Sequence, residues 1–330
     1  MATLLGRNIG PVGYGLMGLT WRPDPPTQAE SFELLNTAIA SGANFFNGGE
    51  LYGTPERHTC HLVKEYFEAH PENASKVLLC IKGGMKYGVA EPDASEENLR
   101  RSVDECNRVL AGTKKIDIFE CARVDPTVPI EDQISVLGKL VTEGKIGGIG
   151  LSEVKADTIR RAHAVYPISV VEVELSLWTT NILNNGIADT CAELGIPIIA
   201  YAPLSRGALT SDFGDKNEDL PVHRRNFPKF QNDVLQANRR LTKEVNNIGI
   251  KKGVKSSQVA LAWIRGLSAR RPASSPIIPI PGAEKPEWIR ENCENVELTD
   301  EEMNEIDRIL TANKTIGERY GGAFAKLAEG

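Results

Sequence analysis

Tyr52 and Lys82 are the residues of this chain whose types, brought together, would do proton chemistry. A lysine ammonium near a phenol favours the phenolate and lowers a pKa that is ordinarily about 10. A phenol tuned in that way can donate a proton to a developing alkoxide and recover it afterwards. Tyr52 lies next to the end of the stretch NFFNGGELYG at 44–53, where an apolar pair runs into Asn47, two glycines and an acid. That pattern reads as a buried strand opening into an exposed loop with a tyrosine at its tip. Lys82 follows the apolar run KVLLCI at 76–81. Its position alone leaves two readings open: a charge that serves a site, or a stem that packs while the amine reaches water.

Such residues need elements to hold them, and the chain supplies a regular alternation. Short apolar runs recur at 44–46, 76–81, 116–119, 145–151, 169–173, 197–201 and 275–280, each bounded by Gly, Pro or polar residues. Runs of this kind read as buried parallel strands, and 13–19 would add one more. Helix-spaced apolar residues fall between them at 29–39, 95–110, 134–141, 159–164, 187–194 and 259–264. About eight β/α units imply an α/β fold with a closed parallel sheet, a (β/α)8 TIM barrel. The first dozen residues read as a hairpin ahead of the barrel. Thr299 with Glu302 fits a capping box that opens an added C-terminal helix. The charged, proline-containing segment 212–230 reads as an insertion or lid, and 315–330 as a loop or cover segment.

Composition narrows the class. With 330 residues, 41% apolar and 25% charged, the chain can bury roughly three quarters of its unfolded surface. Barrels of this size stand as one domain, so one domain over 1–330 is expected. No stretch approaches the roughly 20 apolar residues that span a bilayer, and no signal peptide is apparent. The six scattered cysteines read as free thiols in a reducing compartment, the cytoplasm. A net charge of −6 argues against nucleic acid as a general partner. His58, Cys60 and His61 lie close together but read as a solvated helix face rather than a metal site. GYGLMG at 13–18 matches a dinucleotide fingerprint, which requires a helix to start at the glycines. Pro23, Pro25 and Pro26 follow instead, so the motif reads as a strand-to-loop turn with close backbone approach.

In a barrel, chemistry gathers where strands end. Those positions here carry Asn47, Tyr52 and Lys82, then Glu120, Cys121, Ala122 and Arg123. Later ends carry Ser152 and Glu153, Glu172 leading to Trp178, Tyr201 followed by APLSRG, and Pro281-Gly282 followed by AEKPEWIREN. The order of GGELYG, IKGG, ARVDP, GKIGGIGLSE, ELSL, AYAPLSRGALT and PIPGAEKPEWIREN resembles the aldo-keto reductases over nearly the whole chain. In detail it is similar to the fungal pyridoxal reductases.

The resemblance implies NADPH-dependent reduction of a small aldehyde, with pyridoxal the best single substrate, and no nucleic-acid or membrane partner. It assigns catalytic roles to Tyr52, Lys82 and Asn47. Asn47 stands where the family has an acid, and Ala122 where it has a histidine. With an amide at 47, Lys82 is expected to keep its full charge and to lower the Tyr52 pKa at least as strongly. The lost imidazole leaves the carbonyl to another donor, and the ring hydroxyl of pyridoxal could supply an internal one. For the cofactor, Tyr201 falls on the nicotinamide-stacking position, and Ser152, Glu153 and Glu172 on the carboxamide contacts. Leu204, Ser205, Arg206 and Gly207 match the pyrophosphate turn. Gly282, Ala283, Lys285, Glu291 and Asn292 match the adenosine-phosphate region, where Trp288 replaces an arginine. Lys285, with Arg290 or Arg206, would then hold the 2′-phosphate. Trp21, Ala122, Arg123 and Trp178 would line the substrate pocket, with core packing the other reading for both tryptophans. Rival readings are a reductase of another aldehyde or ketone, an NADP-binding sensor or accessory subunit, and a sugar-phosphate isomerase or lyase using Glu120.

Overall fold

The computed structural model describes residues 2–86, 89, 91–210, 213–214, 216–270 and 275–328. Residues 212 and 215 of the expected insertion and the last two residues of the tail therefore lie outside it. Eight strands form one parallel sheet: β1 (Tyr14–Gly15), β2 (Phe45–Gly49), β3 (Leu78–Gly83), β4 (Ile118–Cys121), β5 (Ile149–Ser152), β6 (Ile168–Glu174), β7 (Ile198–Tyr201) and β8 (Ile277–Pro279). Each strand neighbours the next in chain order, as successive right-handed β/α units require. The sheet curls round until its ends meet. Gly13 N donates to Pro279 O at 2.9 Å and Gly15 N to Pro281 O at 3.3 Å, which closes the (β/α)8 barrel.

That seam explains the glycines of GYGLMG. A Cβ at Gly13 would stand 2.8 Å from both Phe45 O and Ile280 Cγ2, and one at Gly15 2.9 Å from Ile280 O. The motif is a site of backbone approach, not a phosphate cradle. Two expectations are corrected here. The first strand is two residues long rather than the whole of 13–19, and one helical turn, Met17–Thr20, does follow it.

Ten helices of eight or more residues surround the barrel among the described residues: α1 (Gln28–Ala40), α2 (Thr59–Ala69), α3 (Glu96–Leu110), α4 (Ile130–Thr142), α5 (Ala156–Val165), α6 (Ile187–Leu194), α7 (Asn232–Lys252), α8 (Ser256–Arg270), α9 (Pro286–Cys293) and α10 (Asp300–Ala312). Their starts follow local chemistry. Ser95 Oγ accepts from Asn98 N, and Thr27 and Thr299 form reciprocal boxes with Glu30 and Glu302, so orphan amides are satisfied. The expected N-terminal hairpin is present as Ala2–Leu4 paired with Arg7–Ile9. The insertion contains turns at Asn217–Asp219 and Pro228–Phe230 around Val222–Arg225.

Helix α7, 21 residues long, was not anticipated. Its buried Leu235, Leu241, Val245 and Ile248 are spread thinly among polar residues, which weakens the periodic signal. The His58 cluster also differs from expectation. His58 caps α2 and is fully buried beside His61, with ring centroids 4.4 Å apart. Burial, then His61, pushes its pKa down to about 4. Among the described residues no group of three or more His, Cys, Asp or Glu is placed to hold a metal. All six cysteines are unpaired, and no described helix is long and apolar enough to cross a membrane.

The barrel interior leads up to the site. Side chains alternate across a strand, so residues two apart point inward together. Phe45, Leu78, Cys80, Ile118, Val170, Ile199 and Ile278 fill the lower interior, and Leu4 and Ile9 of the hairpin pack against them. One step further along the same inward stripes come Asn47, Lys82, Glu120, Glu172, Glu174 and Tyr201. The dry plug below thus ends in a polar layer at the strand C-termini.

Candidate active site

Lys82 is 3% exposed, and its ammonium is the centre of that layer. Nζ donates to Asn47 Oδ1 at 2.7 Å and to Glu172 Oε2 at 2.6 Å, and stands 3.0 Å from Glu120 Oε1. Asn47 Nδ2 in turn donates to the same Glu172 Oε2 at 2.6 Å. Strand register sets this up. Lys82 pairs with Glu120 across β3 and β4, Glu120 with Gly150 across β4 and β5, and Glu172 with Ser152 across β6 and β5. Gly150 leaves the room: a Cβ there would meet Glu120 Oε2 at 2.8 Å.

Two buried carboxylates share one ammonium, so the cluster cannot hold both fully ionised without cost. Burial and the Glu120 charge push Glu172 up to about 8, with Lys82 only partly opposing them. The charges of Glu120 and Glu172 hold Lys82 well above the ordinary lysine range despite burial.

The expectation of an uncompensated Lys82 is therefore overturned. Tyr52 is half-buried, with Lys82 Nζ 5.8 Å from its ring centroid. Burial pushes its pKa up to about 12; Lys82 lowers it, but Glu172 and Glu120 raise it in turn. The physical reason is that Glu120 and Glu172, from two other strands, supply the negative charge that the amide at 47 lacks.

The loop that presents Tyr52 is held from both sides. Thr20 Oγ1 donates to Tyr52 O at 2.7 Å. Buried Glu50 accepts from Arg101 Nη1 at 2.6 Å and also from Ser102, tying the loop to α3. Gly53 has φ +130, and a Cβ there would meet Arg57 O at 2.1 Å. Trp21 stacks on Tyr52, with centroids 5.5 Å apart and rings 23° from parallel. It is 47% exposed, so an indole face remains open at the mouth. Trp178 is different: it is 2% exposed, packs on Phe230, and donates from Nε1 to Thr242 Oγ1. Ala122 is buried beside Arg123, whose Nε is buried with no hydrogen-bond partner. Arg123 Nη1 donates to Ala122 O at 2.5 Å.

A second charged network joins the ends of β5, β6 and β7 to the C-terminal segment. Glu153 Oε1 accepts from Tyr201 OH at 2.8 Å and from Arg319 Nη2 at 2.7 Å. Arg206 donates to both oxygens of Glu174, at 2.8 and 3.1 Å, and Arg319 Nε adds a bond at 3.0 Å. Despite burial, the two guanidiniums hold Glu174 down to about 2. Tyr320 OH lies 2.7 Å from Tyr201 OH; the Tyr201 proton serves Glu153, so Tyr320 donates. Arg206 lies over the Tyr320 and Phe227 rings. Arg319, Tyr320 and Glu174 were not singled out in the sequence. The signal for Arg319 and Tyr320 was the ERYGG stretch of the tail, a cationic and an aromatic residue followed by two glycines.

The residues expected to hold a dinucleotide fall into two groups. Ser152 Oγ is buried without a partner, and register with Glu172 places it on the inward face, which suits a carboxamide contact. Glu153 and Glu172 are engaged by Arg319 with Tyr201 and by Lys82 with Asn47. Ser205 Oγ donates to Ser176 Oγ, and Arg206 is bound to Glu174 rather than open to a phosphate. Glu153, Ala202, Ser205 and Arg206 all have φ near +50, a backbone strain on the order of 1 kcal/mol each. Arg224, another residue not singled out, reaches Gly207: a Cβ there would meet its Nη1 at 2.8 Å. Leu204 is half-buried, Gly282 exposed, and Ala283 O accepts from Tyr14 OH. Lys285 and Arg290 are exposed, and Lys285 Nζ lies 4.7 Å from the Trp288 ring centroid. Glu291 is taken by Ser257 and Lys255, and Asn292 is buried.

Comparison with known proteins agrees with this architecture. A model described as the aldo/keto reductase family matches residues 11–311. A Schizosaccharomyces pombe protein named as a probable pyridoxal reductase is 39% identical, over 97% of each chain. A Saccharomyces cerevisiae protein, provisionally named a pyridoxal reductase, is 34% identical over 93% of this chain and 95% of its own. Among solved structures, a glycerol dehydrogenase of Gluconobacter oxydans shares the fold with a TM-score of 0.81 at 22% identity, covering 96% of this chain and 97% of its own. A thermostable aldo-keto reductase solved with an inhibitor gives 0.70, also at 22% identity, covering 93% of this chain and 98% of its own.

Proposed function

Because the chain belongs to the aldo/keto reductase family, and is thereby an oxidoreductase, we propose that it reduces pyridoxal to pyridoxine with NADPH. The observation that carries this reading is the Lys82 ammonium set against the Tyr52 ring in the barrel mouth. The names of the two fungal relatives favour pyridoxal within the class of small aldehydes.

When bound, the reduced nicotinamide supplies a hydride to the carbonyl carbon. Tyr52 donates its phenolic proton to the carbonyl oxygen, and Lys82 stabilises the phenolate left behind. A pKa pushed up to about 12 keeps Tyr52 protonated at neutral pH, as a donor must be. Trp21 offers its open face to an aromatic ring. Arg123 Nε, a buried donor without a partner next to Ala122, stands in for the absent imidazole and serves the ring hydroxyl beside the aldehyde. On the cofactor side, Ser152, with a buried hydroxyl lacking a partner, would hold the carboxamide, and Tyr201 would hold the nicotinamide ring. With Arg206 bound to Glu174, Lys285 and Arg290 would hold the 2′-phosphate.

NADPH oxidation on addition of pyridoxal, followed beside Tyr52→Phe, tests the reading. Turnover that drops about 10²- to 10⁴-fold in the variant supports both substrate and donor. A pyridoxal analogue lacking the ring hydroxyl should react markedly worse. NADPH binding without pyridoxal turnover would redirect the assignment to another carbonyl compound or to a sensor role.

A further inference from the structure

We infer that Glu172, alongside Glu120, is a hydrogen-bonding charge partner that fixes Lys82 beside Tyr52, and that the amide at Asn47 bridges Lys82 and Glu172. The inference deepens the reductase reading by assigning a charge partner of its lysine. It assigns Glu172 Oε2 to the lysine rather than to the nicotinamide.

The hydrogen bonds form a closed ring. Lys82 Nζ donates to Asn47 Oδ1 and to Glu172 Oε2, and Asn47 Nδ2 donates to that same Oε2. One side chain at 47 must accept from an ammonium and donate to a carboxylate, and a carboxamide does both while a carboxylate does one. An aspartate at 47 would set an oxygen against Glu172 Oε2 where 2.6 Å now separates donor from acceptor. Glu172 thus specifies the amide at 47. Positions 47 and 172 carry one acid and one amide between them, and the acid sits on β6. Its Oε2 already receives two donors, which leaves this oxygen little capacity for a carboxamide N–H.

The charged and titratable groups facing this ring are Glu120 from β4 and Cys80 from the lysine's own strand β3, with Tyr52 and Arg123 at the mouth. The signs of their effects are opposite for the two substitutions. Above about pH 8, where Glu172 is ionised, Glu172→Gln removes a charge that raises the Tyr52 pKa, so the phenol should ionise at lower pH. Asn47→Asp adds such a charge, so the phenol should ionise at higher pH. Carrying both restores one acid and one amide with their places exchanged.

The test is the two-by-two set of Asn47→Asp, Glu172→Gln and the double variant. The first readout is ultraviolet titration of Tyr52 in the cofactor-free protein, isolated by difference from the corresponding Tyr52→Phe proteins. Each single variant should shift the phenol by about one pH unit, in opposite directions, and the double variant should return close to wild type. The kcat for pyridoxal should follow: each single variant falls at least about tenfold, and the double recovers to within about threefold. Dinucleotide affinity should change little throughout. A double variant that loses the sum of both single losses would overturn the inference. So would Glu172→Gln that weakens dinucleotide binding while leaving the Tyr52 titration unmoved. If Asn47→Asp does not fold, a folded double variant supports the bridge and an unfolded one refutes it. Wild-type protein inactive with pyridoxal would refute the substrate assignment alone, because the titration cycle needs no turnover.

Discussion

Arg319 Nη2 lies 2.7 Å from Glu153 Oε1, so a residue of the C-terminal segment is paired with a carboxylate just past the end of β5. Through Glu174 and Tyr201 the same guanidinium ties that segment to β6 and β7. The segment expected as a loop or cover does reach the barrel mouth, tied to it through Arg319.

Replacing Arg319 by alanine leaves Glu153 buried with one charge partner fewer. Breaking a buried pair in this way costs about 3 kcal/mol. Urea unfolding should show that loss, and limited proteolysis should reach the tail sooner. A change below about 0.5 kcal/mol would place the pair among those that contribute nothing measurable.

Glu174 predicts an acid limb. Its pKa is held down to about 2 from 4.5, mainly by Arg206. A lowered carboxylate pKa adds stability that is present above the unfolded value and lost as pH falls from about 4.5 towards 2. The shift corresponds to about 3 kcal/mol. Denaturation followed from pH 6 to pH 2 should therefore lose less stability in Glu174→Gln, which begins lower and stays flatter.

Gly150→Ala probes the space beside the lysine. The new Cβ would stand 2.8 Å from Glu120 Oε2 and 3.1 Å from Val170 Cγ2. Overpacking at such a site costs about 1–3 kcal/mol. A fall in Tm with a displaced alkaline titration of Tyr52 is expected, because Glu120 must move relative to Lys82.

Cofactor preference is tested at Lys285. If its exposed ammonium holds the 2′-phosphate, Lys285→Ala removes a charge-assisted bond worth about 1.5–3 kcal/mol. The Kd for NADPH should rise at least about tenfold while that for NADH stays within about twofold. Equal weakening of both would locate Lys285 elsewhere on the dinucleotide.

The sequence by itself determined the barrel and the identity of its strand ends. Strand and helix alternation is written in short apolar runs and helix-spaced apolar residues, and Lys82, Glu120 and Glu172 lie at or beside the C-terminal ends of such runs. Capping at Thr299 was legible for the same reason, since its partner lies three residues away. Tertiary structure decided what those residues do to each other. Lys82, Glu120 and Glu172 come from three strands, and only barrel closure sets the distances of 3.0 and 2.6 Å that reverse the expected effect on Tyr52. Likewise Trp21 and Trp178 are alike as sequence, yet packing on Phe230 buries one while stacking on Tyr52 leaves the other open. The reach of Arg319 to Glu153 depends on a fold that returns the tail across the mouth. Electrostatic coupling falls with distance in space, and sequence separation says little about that distance.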